Sequence, residues 1–227
     1  MKMIVANLKN YLSYNEIKEY ATNDLDVIYC VPSIFVDLFS NKKVGLQDIS
    51  MYDKGAYTGE VIASCAKEMG INYVILGHSE RRKYNFEIDE IINKKVIKSL
   101  DNNLNVILCI GEELGDDRNE KLKEQLLLDL KNVQNIENLI IAYEPIWCIG
   151  TGVTPKNQDI EAAISLIKTI ISEKYNQSVK VLYGGSVDDK NINTLIDINN
   201  IDGFLIGKSA TDYNKLRKIV DVVNRQN

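Results

Sequence analysis

Eight short apolar runs, each separated from the next by a polar or amphipathic stretch, constrain the fold of this chain more than any other feature. They are MIVAN (3–7), VIYCV (27–31), VGLQDI (44–49), YVILGH (73–78), VILCIG (106–111), LIIAYEP (139–145), VKVLYGG (179–185) and FLIGK (204–208). Their apolar residues are consecutive rather than alternate, which predicts strands covered on both faces, as in a parallel sheet. Between them lie helical patterns such as EIDEIINKKVIKSL (87–100), EKLKEQLLLDLKNV (120–133) and QDIEAAISLIKTIISEKY (158–175), with apolar residues at three- and four-residue steps. Eight strand–helix units in 227 residues average about 28 residues each, slightly under the roughly 250 residues typical of a closed (β/α)8 barrel. No Pro/Ser-rich stretch, charge block or low-complexity tract interrupts them. The predicted architecture is therefore α/β, a single (β/α)8-barrel domain over residues 1–227.

Composition narrows the function classes. The net charge is −5 and acids and bases are interspersed, whereas a nucleic-acid binder usually carries a basic stripe. Cys30, Cys65, Cys109 and Cys148 match no metal-ligand spacing, so free thiols are expected rather than a zinc site or disulfides. The first residues run straight into a strand pattern rather than a signal peptide. No apolar run nears the ~18 residues of a membrane span. These points predict a cytoplasmic protein with neither membrane nor nucleic-acid partners.

Chemistry concentrates at the C-terminal ends of the predicted strands, where barrel enzymes build their sites. His78, the only histidine, ends the fourth run in GHSERR. The following residues read as a helix start with Ser79 as N-cap, and the positive end of that helix favours a neutral ring able to donate a hydrogen bond. Glu144 ends the sixth run in AYEPIWCIGTG. Pro145 stiffens the chain behind it, and the apolar Ile146 and Trp147 beside it suit the carboxylate to act as a base. GTG (150–152) supplies mobile backbone N–H groups. Lys9 follows the first run and is placed to stabilise developing negative charge. YGGS (183–186) and IGK (206–208) follow runs seven and eight, where N–H groups can form an anion-binding nest. Singly, a histidine, a glutamate or a surface lysine is usually structural or solvated; their order after strands 1, 4, 6, 7 and 8 carries the argument.

GHSERR, AYEPIW with IGTG, and YGGS resemble the signatures of the triosephosphate isomerase family, and QDISMYDKGAYTGEV (47–61) is similar to its long third loop. The resemblance runs from residue 3 to about residue 223. It implies a TIM barrel that interconverts dihydroxyacetone phosphate and glyceraldehyde 3-phosphate through an enediolate, without metal or organic cofactor. It implies Glu144 as the proton shuttle, His78 as the electrophile and Lys9 as the third catalytic residue. Asn7, Leu8 and Lys9 would bind the substrate, with Leu8 between the other two, and Glu80 would hold the Lys9 head group. Gly150, Ser186, Gly207 and Lys208 would donate N–H groups to phosphate, and Tyr183 and Ser186 would latch a closing loop. It further implies a homodimer through the loop around Thr58, and Glu87 as a buried structural acid.

The chain departs from the family pattern at several points. Leu8 replaces a tryptophan, Cys148 an alanine, Asn85-Phe86 a Phe-Gly pair and Lys208 a glycine; the stretch after GTG is about two residues short, and the first two units are compressed. Two other readings of such a barrel are a different phosphosugar enzyme, which would lack the His78–Glu144–Lys9 set, and a non-catalytic phosphosugar sensor, which would have lost one of its members.

Overall fold

The computed structural model describes residues 2–225; Met1, Gln226 and Asn227, part of the predicted domain span, lie outside the described residues. In chain order the elements are β1 (Met3–Asn7), α1 (Tyr14–Tyr20), β2 (Ile28–Val31), β3 (Val44–Leu46), α2 (Ala63–Glu68), β4 (Tyr73–Leu76), α3 (Ser79–Tyr84), α4 (Asp89–Asp101) and β5 (Asn105–Ile110). They continue with α5 (Arg118–Asp129), β6 (Leu139–Tyr143), α6 (Asn157–Tyr175), β7 (Lys180–Tyr183), α7 (Ile192–Leu195), β8 (Gly203–Ile206) and α8 (Tyr213–Arg225). The strands pair in parallel in sequence order and β8 pairs with β1, so the barrel is closed, as the run pattern predicts.

Two details differ from the sequence reading. Most strands stop one to three residues earlier than the apolar runs, because the run ends Gly77-His78, Glu144-Pro145, Gly184-Gly185 and Gly207-Lys208 leave the ladder to form the barrel mouth. The second unit has no α-helix: a 3-10 helix, Ser33–Phe39, spans the short gap between β2 and β3, since few residues remain there for a full amphipathic crossover.

Side chains of successive strand residues point to opposite faces, and this parity sorts the apolar residues into two cores. Val5, Ile28, Cys30, Ile75, Ile107, Cys109, Ile140, Ala142, Leu182 and Leu205 fill the barrel interior. Their neighbours, among them Ala6, Tyr29, Leu108, Ile141, Val181 and Phe204, pack outward with apolar residues of the surrounding helices. Burial on both faces explains why the runs are continuous.

The same parity aims the mouth. Two residues beyond Val5, Ala142, Leu182 and Leu205 stand Asn7, Glu144, Gly184 and Gly207. All four line one cavity.

Candidate active site

That cavity, ≈ 330 Å³, opens at the C-terminal ends of the strands and brings together Asn7, Lys9, His78, Glu144, Gly150, Ser186, Gly207 and Lys208. A larger cavity, ≈ 760 Å³, lies at the opposite end of the barrel among Met3, Asn105, Lys180 and the Lys168–Asp202 ion pair. It holds neither histidine nor cysteine, and the catalytic candidates all belong to the smaller one.

Glu144 is 2% exposed and its amide donates to the Ile110 carbonyl at 2.8 Å, so strand pairing fixes its backbone. Its Oε1 lies 3.3 Å from His78 Nε2. His78, 4% exposed, is itself the N-cap of α3: its Nδ1 accepts the Glu80 amide at 3.2 Å. This corrects the prediction of Ser79 as cap. Gly77, at φ +68°, turns the chain one residue early, in a conformation open to glycine, and Ser79 becomes the first helical residue. The cap bond also assigns the tautomer. With Nδ1 accepting, the neutral ring carries its proton on Nε2, the nitrogen facing Glu144 and the cavity.

Lys9 reaches the cavity from a left-handed backbone, φ 50°. Its amide donates to Asn7 Oδ1 at 3.1 Å, and Gln47 Nε2 donates to its carbonyl at 2.9 Å. Its ammonium donates to Glu80 Oε1 at 2.6 Å. Glu80 therefore serves two residues of the cavity: its amide orients His78 and its carboxylate holds Lys9.

Leu8 is a correction. It is 1% exposed and belongs to the outer core, because it has the parity of Ala6, opposite to Asn7. It packs behind the site and does not line the cavity. Tyr183 has the same outward parity, beside Val181, and it too is absent from the cavity wall.

The loop after Glu144 is held at its first half. The Ile146 amide donates to the Glu112 carbonyl at 2.9 Å, and Trp147 Nε1 donates to Glu112 Oε1 at 3.3 Å. Tyr143 Oη donates to the same carboxylate oxygen at 3.0 Å. Ser186 Oγ donates to the Cys148 carbonyl at 2.6 Å. Gly150 and Gly152 follow in left-handed conformations. Glu112, the first acid after β5 in CIGE, was not among the sequence candidates; its place at a strand end was the available signal.

Burial, followed by the charge of Glu144, pushes the Cys109 thiol well above its usual range. A neutral, unreactive thiol therefore sits beside the carboxylate. Burial, followed by Glu112, pushes Cys148 up to about 12. Both thiols stay protonated at neutral pH and neither is an activated nucleophile.

The Tyr183 hydroxyl is buried with no hydrogen-bond partner, so Ser186 engages the loop here and Tyr183 does not. A buried hydroxyl without a partner costs about 1–3 kcal/mol. Tyr183→Phe is expected to keep or raise the thermal midpoint and leave kcat within about twofold. A melting temperature lowered by several degrees would show that the hydroxyl has a stabilising partner.

No group of three or more His, Cys, Asp or Glu among the described residues is arranged to hold a metal ion. No helix among them is long and apolar enough to cross a membrane.

The triosephosphate isomerase family model matches residues 2–223. The chain is 39% identical to the triosephosphate isomerase of Alkaliphilus metalliredigens, covering 86% of each chain. It is 37% identical to that of Alkaliphilus oremlandii, over 92% of this chain and 90% of the relative. It is also 37% identical to that of Thermodesulfovibrio yellowstonii, over 96% and 98%. With a closed parallel barrel, a family model matched over residues 2–223 and relatives aligned over most of their length, this chain belongs to the triosephosphate isomerase family.

Proposed function

We propose that the chain interconverts dihydroxyacetone phosphate and D-glyceraldehyde 3-phosphate through an enediolate, as a step of glycolysis and gluconeogenesis. The observation that carries this reading is the contact of His78 Nε2 with Glu144 Oε1 at 3.3 Å in a cavity that Lys9 also enters. A base and a hydrogen-bond donor so close can address adjacent carbon and oxygen atoms of one small substrate.

In this reading the Glu144 carboxylate takes a proton from the carbon next to the carbonyl. The C–H electron pair forms the C=C bond and negative charge moves onto the carbonyl oxygen. His78 Nε2–H and the Lys9 ammonium stabilise that charge. The ring passes its proton to the oxygen and recovers one from the neighbouring hydroxyl, and Glu144 returns its proton to the adjacent carbon. A glutamate base paired with a neutral histidine is the division of labour already known for this family. Backbone N–H groups at Gly150, Ser186 and Gly207 and the exposed Lys208 face the phosphate. The Ser186–Cys148 bond favours a closed loop, which excludes water from the enediolate.

The chemistry is complete with side chains alone, so no metal or organic cofactor is assigned. The projecting loop around Thr58 supports a homodimer, and four free cysteines support a reducing, cytoplasmic setting.

The test is an assay of glyceraldehyde 3-phosphate formation coupled to its oxidation. Wild type is expected to turn over, and Lys9→Met to lose about 10²–10³-fold in kcat/KM. A folded wild type that binds a phosphate analogue without turnover would favour the sensor reading. Turnover of a different phosphosugar alone would favour the other barrel enzymes.

A further inference from the structure

Helix α5 buries Leu122, Gln125, Leu126 and Asp129. Steps of three and four residues make these the core stripe of an amphipathic helix, yet Gln125 and Asp129 are polar. Gln125 Oε1 accepts the Gly111 amide at 2.9 Å, at the end of β5 where Gly111 packs closely on the Glu144 carbonyl. Asp129 is 0% exposed, and its Oδ1 has no hydrogen-bond partner among the described residues. A carboxyl in that state is costly, and leucine would suit the stripe better. Such a local violation marks a residue kept for something other than stability.

Asp129 holds Arg82. Arg82 Nη2 donates to Asp129 Oδ2 at 2.7 Å, and Nη1 pairs with Asp89 at the start of α4. The remaining nitrogen points elsewhere: Nε donates to the Gly77 carbonyl at 2.8 Å. The guanidinium also lies against Gly77, where an added Cβ would stand 3.2 Å from Nη2. The Gly77 carbonyl belongs to the planar peptide that ends in the His78 nitrogen. Fixing that carbonyl fixes the direction in which the chain enters His78. Gly77 needs such a hold, because a glycine at φ +68° is free to leave that conformation. A guanidinium carries its donors in fixed directions. It therefore converts the places of two carboxyl groups, on α4 and α5, into the place of one peptide at the end of β4. Burial pushes the Asp129 carboxyl up to about 7, over the opposing charge of Arg82 and with the charge of Asp89 adding to the rise. Near neutral pH it therefore carries a proton for much of the time, and asparagine is then its close mimic.

We propose that Asp129 is a positioning residue for His78: through Arg82 it holds the Gly77 carbonyl, and so the peptide that presents the histidine to the cavity. The inference rests on the isomerase reading above. It adds a residue outside the cavity wall on which the placement of the hydrogen-bond donor depends. Misplacing a catalytic group by about 1 Å costs up to about 10²-fold in rate.

Steady-state kinetics per folded molecule tests it with Asp129→Leu and Asp129→Asn. Leucine fills the space and leaves Arg82 in a balanced pair with Asp89, so the chain is expected to fold. Asp129→Ala takes its place if it does not. Asp129→Leu is expected to lower kcat by at least about tenfold, with KM and the inhibition constant of inorganic phosphate within about twofold of wild type. The asparagine oxygen still accepts from Arg82, so Asp129→Asn is expected to keep kcat within about threefold. Leu126→Ala, on the same face of α5 and 1% exposed, is expected to lower the melting temperature and leave kcat unchanged. Normal kcat in Asp129→Leu, or an equal loss in Asp129→Asn or Leu126→Ala, would overturn the proposal. A wild type without turnover would instead sink the isomerase reading. Crystal structures of wild type and Asp129→Leu would then decide, a shifted Gly77–His78 peptide supporting the proposal and a coincident one overturning it.

Discussion

Glu144→Gln is expected to lower kcat by about 10³-fold while KM moves by less than about threefold. Glutamine keeps the volume of a side chain that is 2% exposed, so neither a cavity nor a shift of β6 follows. Its amide oxygen can occupy the position of the carboxylate oxygen 3.3 Å from His78 Nε2, and His78 keeps its own hold on the Glu80 amide. Only the capacity to hold a proton is lost. A thousandfold change corresponds to about 4 kcal/mol of transition-state stabilisation, far above what a positioning contact at this distance supplies. Steady-state kinetics with a matched thermal melt checks the expectation. A variant with near-normal kcat and an unchanged melting temperature would remove Glu144 from the role of base.

Gly111→Ala is expected to cost several kcal/mol of stability and most of the activity, for a reason that no side-chain contact reveals. A Cβ at Gly111 would stand 1.7 Å from the carbonyl oxygen of Glu144 and 2.6 Å from its carbonyl carbon. Either β5 and β6 separate at the mouth or the Glu144 backbone rotates, and overpacking of a closed barrel costs about 1–3 kcal/mol or more. Gly203→Ala provides the comparison. Its Cβ would lie 2.0 Å from the Met3 carbonyl oxygen, where β8 closes on β1 at the end of the barrel far from the cavity. Both variants should unfold at lower temperature or denaturant concentration. Only Gly111→Ala should also lose kcat per folded molecule, measured by active-site titration. Equal loss of kcat in the two would mean that general loosening of the barrel, rather than displacement of Glu144, is responsible.

The legibility of this chain was uneven for physical reasons. Eight continuous apolar runs announced a parallel sheet because burial on both faces leaves no room for polar alternation, and closure followed from their number. His78, Glu144 and Lys9 were legible because each is a reactive residue type at or just beyond the end of such a run, and the structure gathers them into one cavity. Strand parity decides what the motifs alone did not. Leu8 sits one residue from Asn7 and Lys9 within the matched segment but faces outward, and Tyr183 shares that fate. The capping role of His78 depends on Gly77 turning the chain, a torsion that no residue count reveals. Glu112 escaped notice because its work is done through Trp147 and Tyr143, across elements distant in sequence. The left-handed backbone of Phe86, φ 56°, was visible only as a departure from Phe-Gly.

The hinge that ties Trp147 to Glu112 has a practical corollary. Trp147 is the only tryptophan in the chain and His78 the only histidine, and both lie at this one end of the barrel. Ultraviolet emission from the indole, excited beyond the absorption of the 12 tyrosines, therefore reports on the loop. The imidazole proton resonances likewise belong to a single ring. The chain carries a separate optical and magnetic probe for this loop and for the histidine of the cavity, with no label added.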